Sequence, residues 1–339
     1  MDQPFIIAIT GSIAKTSTKV AVGAVLRRAY PDQVRVGYGN LNSFLGVPLA
    51  ILGFKLDFYK QKITWQWLGI LLAAVWRTIF NTLPEYIVLE YGADNPGDIK
   101  ALAQMLPLDG AIITITSPAH LANYASVEDI AKEKAQIMTA VKKNGWALVN
   151  QADPHLKIYQ AIKTDAVVIK TETVDIAVNF ARQVGLQMKI SSEAVEQALG
   201  ALVRPEGRFQ MKDLGPIKLM DDSYNANPLS MTAALAMLAK MPSPRLAILG
   251  DMLELGPPAE KYHQQVGKEA RAVANHIVGV GQLASFYQAD QLFATADEAI
   301  PTILSTAGRY GSILVKGSHG VKMDKIVMAL TKKYQRRTS

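Results

Sequence analysis

The chain has 339 residues, 49% of them apolar and 19% charged. That is enough apolar material for the cores of two domains, and it excludes a disordered chain. The net charge of +7 is scattered except in the tail Lys332-Lys333-Tyr334-Gln335-Arg336-Arg337, which suits an acidic small molecule such as a nucleotide and argues against nucleic acid as a partner. Cysteine is absent, which excludes disulfides, thiolate catalysis and a cysteine-held zinc and leads us to expect a reducing, cytoplasmic setting.

From the amino terminus, Met1-Asp2-Gln3-Pro4 lacks the basic region of a signal peptide, and Phe5 to Thr10 reads as a strand. It runs into Gly11-Ser12-Ile13-Ala14-Lys15-Thr16-Ser17-Thr18-Lys19 and then a helical pattern, the order that a phosphate-cradling loop requires. Backbone amides and the helix amino terminus would face phosphate oxygens, Lys15 would add charge, and Thr16 would offer a hydroxyl to magnesium. Ile9 and Ala14 stand where the full phosphate-loop pattern has glycines, and an ordinary capped turn reads the same way.

Trp65 to Leu83 is almost wholly apolar between Trp67 and Trp76, with Lys55, Lys60, Lys62 and Arg77 around it. It is too short to span a bilayer, which takes about 20 apolar residues. A buried or half-buried helix and an interfacial helix with tryptophan anchors, giving peripheral membrane contact, both fit.

Short apolar runs then recur at Tyr86 to Glu90, Ala111 to Thr116, Trp146 to Asn150 and Ala166 to Ile169. They resume at Ile217 to Asp221, Leu246 to Gly250, His276 to Gly281 and Ser312 to Lys316. Alternation of such runs with helical patterns predicts an α/β chain of parallel strands and crossover helices. The expected organisation is a P-loop-type, mostly parallel-sheet domain over 1–211 and a smaller Rossmann-like α/β domain over 212–339. The turn Pro205-Glu206-Gly207-Arg208 places the boundary near Met211.

Ligands of open parallel sheets bind beyond the carboxyl ends of the strands, so residues there carry the chemistry. Glu90 closes an apolar strand, where a carboxylate is costly unless a cation or metal accompanies it; a structural ion pair is the plain alternative. His120 follows the run Ala111 to Thr116 through Ser117-Pro118-Ala119 and reaches the same sheet edge, where it is either incidental or a metal or phosphate contact. The helix opened by Ser126 is predicted to carry Val127, Ile130, Lys134, Ile137 and Val141 on one face. An ammonium in that stripe must be paired, chemically altered or reach out at its edge.

In their order and flanks these residues resemble the Mur ligases, whose motifs are a G-[ST]-x-G-K-[ST]-[ST] loop, a glutamate after the next core strand, a later histidine and an inward lysine. Asp222 to Met231 and Gly250 to Gly256 are similar to the carboxy-terminal signatures of the branch that adds D-alanyl-D-alanine. Asn40 to Pro48 is similar to its substrate-side loop; Glu90-Tyr91-Gly92-Ala93 to Gly97-Asp98-Ile99 and Lys316-Gly317-Ser318 extend the match over most of the chain.

The resemblance implies an ATP-dependent, magnesium-using carboxylate-amine ligase of peptidoglycan precursor synthesis that works through an acyl phosphate and takes a UDP-muramoyl peptide and D-alanyl-D-alanine. It implies catalytic roles for Lys15, Glu90, His120 and Lys134, and nucleotide contacts from Gly11, Ser12, Ala14, Lys15, Thr16, Ser17, Arg208, Tyr224, Asn225 and Asn227. Substrate contacts fall to Asn42, Ser43, Asp251 and Lys316, and magnesium to Thr16, Glu90, His120 and a carbamylated Lys134.

Three departures accompany it. The sequence starts at the phosphate loop, without the family's amino-terminal UDP-gripping domain, which implies a separate UDP-binding partner or another substrate. The stretch from Asp153 to Gly207 is short and lacks the expected His-Asn run. Ala14 replaces a loop glycine, which costs on the order of 1 kcal/mol if that position needs a positive φ. Competing expectations are the same chemistry on another acceptor, as in folylpolyglutamate synthases or with a lipid-linked substrate, and a nucleotide-binding scaffold without catalysis.

Overall fold

The computed structural model describes residues 3–56, 66–80, 82–118, 121–162, 166–169 and 175–335. Trp65, His120, Arg336 and Arg337 lie outside them. The chain divides into two compact units, one of Met1–Thr116 with Asn123–Val203, the other of Ser117–Ala122 with Arg204–Ser339.

In the first unit the strands are β1 (Phe5–Thr10), β2 (Val34–Val36), β3 (Tyr86–Glu90), β4 (Leu108–Ile113), β5 (Val141–Asn150) and β6 (Ala166–Ile169). They form one sheet in the order β2-β3-β1-β4-β5-β6, every pairing parallel. Its helices are α1 (Lys15–Ala29), α2 (Gly46–Ile51), α3 (Gln66–Phe80), α4 (Asp98–Ala103), α5 (Val127–Ala135), α6 (Leu156–Gln160), α7 (Ile176–Gln187) and α8 (Ser192–Gly200). Strands β1 and β3 are apolar along almost their whole length because both faces of a parallel sheet are covered. Ile6, Ala8, Ile87, Leu89, Ala111, Ile113, Ala147 and Val149 build one buried core. The register pairs Ile9 with Glu90 and Thr10 with Ile113, so β1, β3 and β4 end level with one another.

The second unit holds β7 (Gln210–Asp213), β8 (Lys218–Asp222), β9 (Arg245–Gly250), β10 (His276–Val280), β11 (Gln291–Phe293) and β12 (Ser312–Lys316), with α9 (Pro228–Leu238), α10 (Ala259–Val273), α11 (Ala296–Thr306) and α12 (Asp324–Gln335). Its sheet order is β11-β10-β9-β12-β8-β7. All pairings are parallel except β7 with β8, which run antiparallel. Met211 lies inside β7 and opposite Met220.

Two sequence expectations are corrected. The helix opened by Ser126 ends at Ala135; Gln136–Ala140 tighten into a 3-10 turn and Val141 opens β5, so Ile137 and Val141 do not share a helix with Lys134. The run Ala111 to Thr116 belongs to a strand that starts at Leu108 and ends at Ile113. Beyond it Thr114 and Thr116 are held by hydrogen bonds to Thr10 O and from the Thr116 amide to Asp153 Oδ2. The segment around Trp67 to Trp76 is one helix, α3, half-buried as the sequence allowed: Trp67, Ile70, Ala73 and Ala74 pack on the core, while Leu68, Leu71, Leu72, Val75, Trp76, Ile79 and Phe80 are exposed.

Candidate active site

At the carboxyl end of β1 the chain turns through Gly11 to Ala14 and enters α1. Gly11 has φ 141°, and a Cβ on it would meet Thr114 Oγ1 at 1.9 Å, so only glycine fits. The residues that follow β4 hold this loop from beside: the Ser12 amide donates to Ile115 O at 2.8 Å, and Thr114 Oγ1 donates to Ile13 O at 2.6 Å. Ile9, where the full pattern has its first glycine, is a buried strand residue, which makes the loop shorter than that pattern. Ala14 adopts φ 61°, ψ 9°, the left-handed region, with no side-chain cap on the helix. The methyl group therefore sits where glycine is favoured, and the first turn of α1, which carries no acid, leaves the positive end of the helix dipole uncompensated by side chains.

Lys15 Nζ donates to Gly11 O at 2.8 Å. Thr16 Oγ1 donates to Glu90 Oε2 at 2.8 Å, and Asn42 Nδ2 to Glu90 Oε1 at 3.1 Å. Lys19 Nζ lies 3.2 Å from Glu90 Oε2 and donates to Gly39 O at 2.7 Å. Glu90 is thus a buried carboxylate reached from the loop helix, from the 40–46 turn and by an ammonium. The ion pair that was the plain alternative for it exists, and it coexists with the Thr16 and Asn42 bonds. Ser43 Oγ accepts from the Gly46 amide at 3.3 Å, closing the turn that leads into α2, and Ser12 and Ser17 are half-buried beside the loop.

Lys134, on α5, is 2% exposed. Ser126 caps that helix by accepting from the Asp129 amide, which fixes the face that Lys134 occupies. Burial first and then the charge of Lys15 lower its pKa to about 7, against the opposing pull of Glu133, Asp94 and Asp153. Glu133 receives the Gly97 and Ile99 amides at the start of α4, and Asp153 the Thr116 amide and the Tyr159 hydroxyl. A lysine amine with its pKa lowered so far has a neutral, nucleophilic fraction near pH 7, the condition for adding carbon dioxide.

In the second unit, Gly207 (φ 65°) accepts the Tyr224 amide. The Arg208 guanidinium lies 4.1 Å over the Tyr224 ring, and His319 is 5.2 Å from the same ring. Lys316, buried at the end of β12, donates to Asp222 Oδ2 at 2.6 Å and to Asn225 O at 2.8 Å. Asn225 is exposed. Asn227 caps α9 in a capping box with Ser230, so its side-chain oxygen serves the helix. The Asp251 carboxylate accepts the Gln282 and Leu283 amides, and burial raises its pKa.

Sequence reasoning missed Lys19, Asp222 and His319. Lys19 was findable by the signal that marked Lys134, since it falls one helical turn after Lys15, one before the apolar Val22 and two before Leu26. No group of three or more His, Cys, Asp and Glu side chains placed to hold a metal occurs among the described residues. The Thr16 hydroxyl and Glu90 carboxylate nevertheless converge within one hydrogen bond, and two hard oxygen donors at a phosphate loop fit magnesium, which keeps several waters and takes few protein ligands.

The family model of the Mur ligase middle domain matches residues 9–212, and that of the Mur ligase, glutamate ligase domain matches 207–319. The UDP-N-acetylmuramoyl-tripeptide–D-alanyl-D-alanine ligase of Escherichia coli is 26% identical over 96% of this chain and 76% of its own length. The ligase of the same name from Rickettsia prowazekii is 27% identical over 95% and 77%. A crystal structure of MurF from Acinetobacter baumannii superposes with a TM-score of 0.79 at 25% identity, covering 97% of this chain and 76% of that one.

Proposed function

The chain belongs to the Mur ligase family, and from that membership we propose that it is a cytoplasmic ATP-dependent, ADP-forming ligase that joins D-alanyl-D-alanine to a UDP-muramoyl tripeptide in peptidoglycan synthesis. The observation that carries this reading is the convergence on Glu90 of Thr16, Asn42 and Lys19 beneath the phosphate loop. The names of the relatives supply the acceptor and the amine.

In this reading the Ser12 to Ser17 amides and the amino terminus of α1 bind the ATP phosphates, and Lys15 leaves Gly11 O to neutralise the transferring phosphoryl group. Thr16 and Glu90 hold Mg2+, which when bound spreads the charge of the phosphate oxygens. As a neutral amine Lys134 would add carbon dioxide and release one proton to solvent, and the resulting carbamate anion and His120 would be the residues to hold a second Mg2+. Asn42 and Ser43 face the muramoyl peptide. Arg208, Tyr224, Asn225 and Asn227 serve the nucleotide, and Asp251 and Lys316 the amine. The γ-phosphoryl group passes to the substrate carboxylate, ADP leaves, the amine of D-alanyl-D-alanine attacks the acyl phosphate, and the tetrahedral intermediate expels phosphate.

This chemistry moves one carboxylate oxygen into phosphate. With the UDP-muramoyl tripeptide carboxylate labelled with oxygen-18, released phosphate is expected to carry one label per amide formed. Amide formation with unlabelled phosphate would exclude the acyl phosphate, and no amide at all would exclude these substrates.

A further inference from the structure

Helix α3 is apolar all round. Its inward side, Trp67, Ile70, Ala73 and Ala74, packs on the core of the first unit. Its single charged residue, Arg77, is also turned to the body of that unit, where it donates to Leu52 O at 3.1 Å and lies 4.1 Å over the Phe54 ring. The helix is thereby fixed in place with the opposite side outward. That side carries Leu68, Leu71, Leu72, Val75, Trp76 and Ile79, spaced three and four residues apart, and Phe80 beyond them; Leu72 is 63% and Ile79 67% exposed. The ring of Trp76 lies 5.5 Å from that of Phe80. Single exposed leucines are ordinary, but a continuous stripe of large apolar side chains marks a surface that something covers.

The charge pattern identifies what covers it. From Lys55 to Glu85 the sequence holds Lys55, Lys60, Lys62 and Arg77 against Asp57 and Glu85, and Trp76 stands on the outward side of the helix. An anionic lipid surface attracts each basic residue near it by about 1 kcal/mol, so a basic excess beside an outward apolar side favours such a surface. Tryptophan is the side chain that favours the headgroup level. No described helix is long and apolar enough to cross a membrane, and 15 residues of α3 extend about 22 Å against a hydrocarbon core of about 30 Å. Such a helix lies in the interface plane.

We propose that the outward face of α3 inserts into the headgroup and upper acyl region of an anionic bilayer, docking this ligase peripherally on a membrane. Vesicles of phosphatidylcholine with about 30% phosphatidylglycerol are the probe, with the full chain assayed by co-sedimentation and Trp76 followed by fluorescence with brominated lipids. The wild type is expected to bind these vesicles, to bind pure phosphatidylcholine at least about tenfold less, and to show Trp76 quenching. The variant Leu72→Ser/Ile79→Ser, which leaves the inward contacts intact, is expected to lose at least about tenfold in binding while keeping the wild-type circular dichroism spectrum. Leu292→Ser, at an exposed site in the second unit, is expected to bind as the wild type does.

Unchanged vesicle binding in the double variant would overturn the proposal. So would a wild type that ignores vesicles, whether it stays monomeric or forms dimers in sedimentation that the double variant abolishes; the dimers would make a second copy the occupant.

Discussion

Thr16 Oγ1 donates to Glu90 Oε2 at 2.8 Å across 74 residues of sequence. The contact exists because β1 and β3 are parallel neighbours whose register sets Ile9 beside Glu90, so the residues following one strand and ending the other must meet. Lys19 completes the arrangement from the next turn of α1.

The Lys19 and Glu90 pair, with side chains 3% and 4% exposed, is a coupled unit. Lys19→Met or Glu90→Gln alone is expected to destabilise the first unit by about 3 kcal/mol, since each leaves a buried polar or charged partner behind. The double variant should cost much less than the sum. Urea unfolding of all four proteins measures the coupling, and additive effects would show that the pair is independent.

Ala14 holds the left-handed conformation in the chain itself, so its strain resides in the fold. Ala14→Gly is expected to stabilise the first unit by about 0.5–1 kcal/mol after the entropic cost of glycine, and nucleotide binding in the glycine variant should be equal or tighter. Thermal unfolding and calorimetric titration with ATP check both; a lower midpoint or weaker binding would remove the strain argument.

For Lys134 the sign follows from its lowered pKa, about 7 against an ordinary 10.5. The unfolded chain binds the proton over that interval and the folded chain does not, so the stability it permits is full above 10.5 and falls as pH drops toward about 7. In bicarbonate-free buffer, Lys134→Met is therefore expected to be more stable than wild type, with the gap widening as pH falls from about 10 to about 7. The same variant should lose ligase activity by at least about 100-fold. Carbon-13 bicarbonate should give the wild type a carbamate resonance that the variant lacks. A destabilised, active variant would make Lys134 a packing residue.

His263 accepts the Met252 amide at Nε2 and places Nδ1 2.7 Å from Ala259 O, so it is held neutral, and burial lowers its pKa below 6.5. Here too the unfolded chain takes the proton first. The second unit should be most stable above pH 6.5 and weaken as pH falls through the folded value. His263→Gln is expected to be less stable than wild type near pH 8 and to flatten the slope between about pH 7 and about pH 5. An unchanged slope in urea unfolding would assign it to other groups.

Much of the fold was legible because long central strands announce themselves as apolar runs closed by a polar residue or glycine. β2, β7 and β11 were not, since three or four partly exposed residues at sheet edges leave no such run. The helix after Ser126 was overextended because Ile137 and Val141 keep the apolar rhythm while the backbone changes to a 3-10 turn and a strand. Of the loop chemistry, Lys15, Thr16, Asn42 and Glu90 were named from sequence and are neighbours in space. Lys19 stands in sequence at the tail of the loop motif, where only its helical spacing marks it as a buried helix position. The outward side of α3 could not be read, because a segment apolar on every side has no polar face to mark its orientation.

The most direct measurement is magnesium-dependent phosphate release from ATP by the full chain, with and without UDP-muramoyl tripeptide plus D-alanyl-D-alanine, with the ligated product followed by mass. Release that rises with both substrates and matches the product one for one is the expected result. Nucleotide turnover that ignores both substrates and yields no ligated product would contradict the assignment as a D-alanyl-D-alanine-adding ligase.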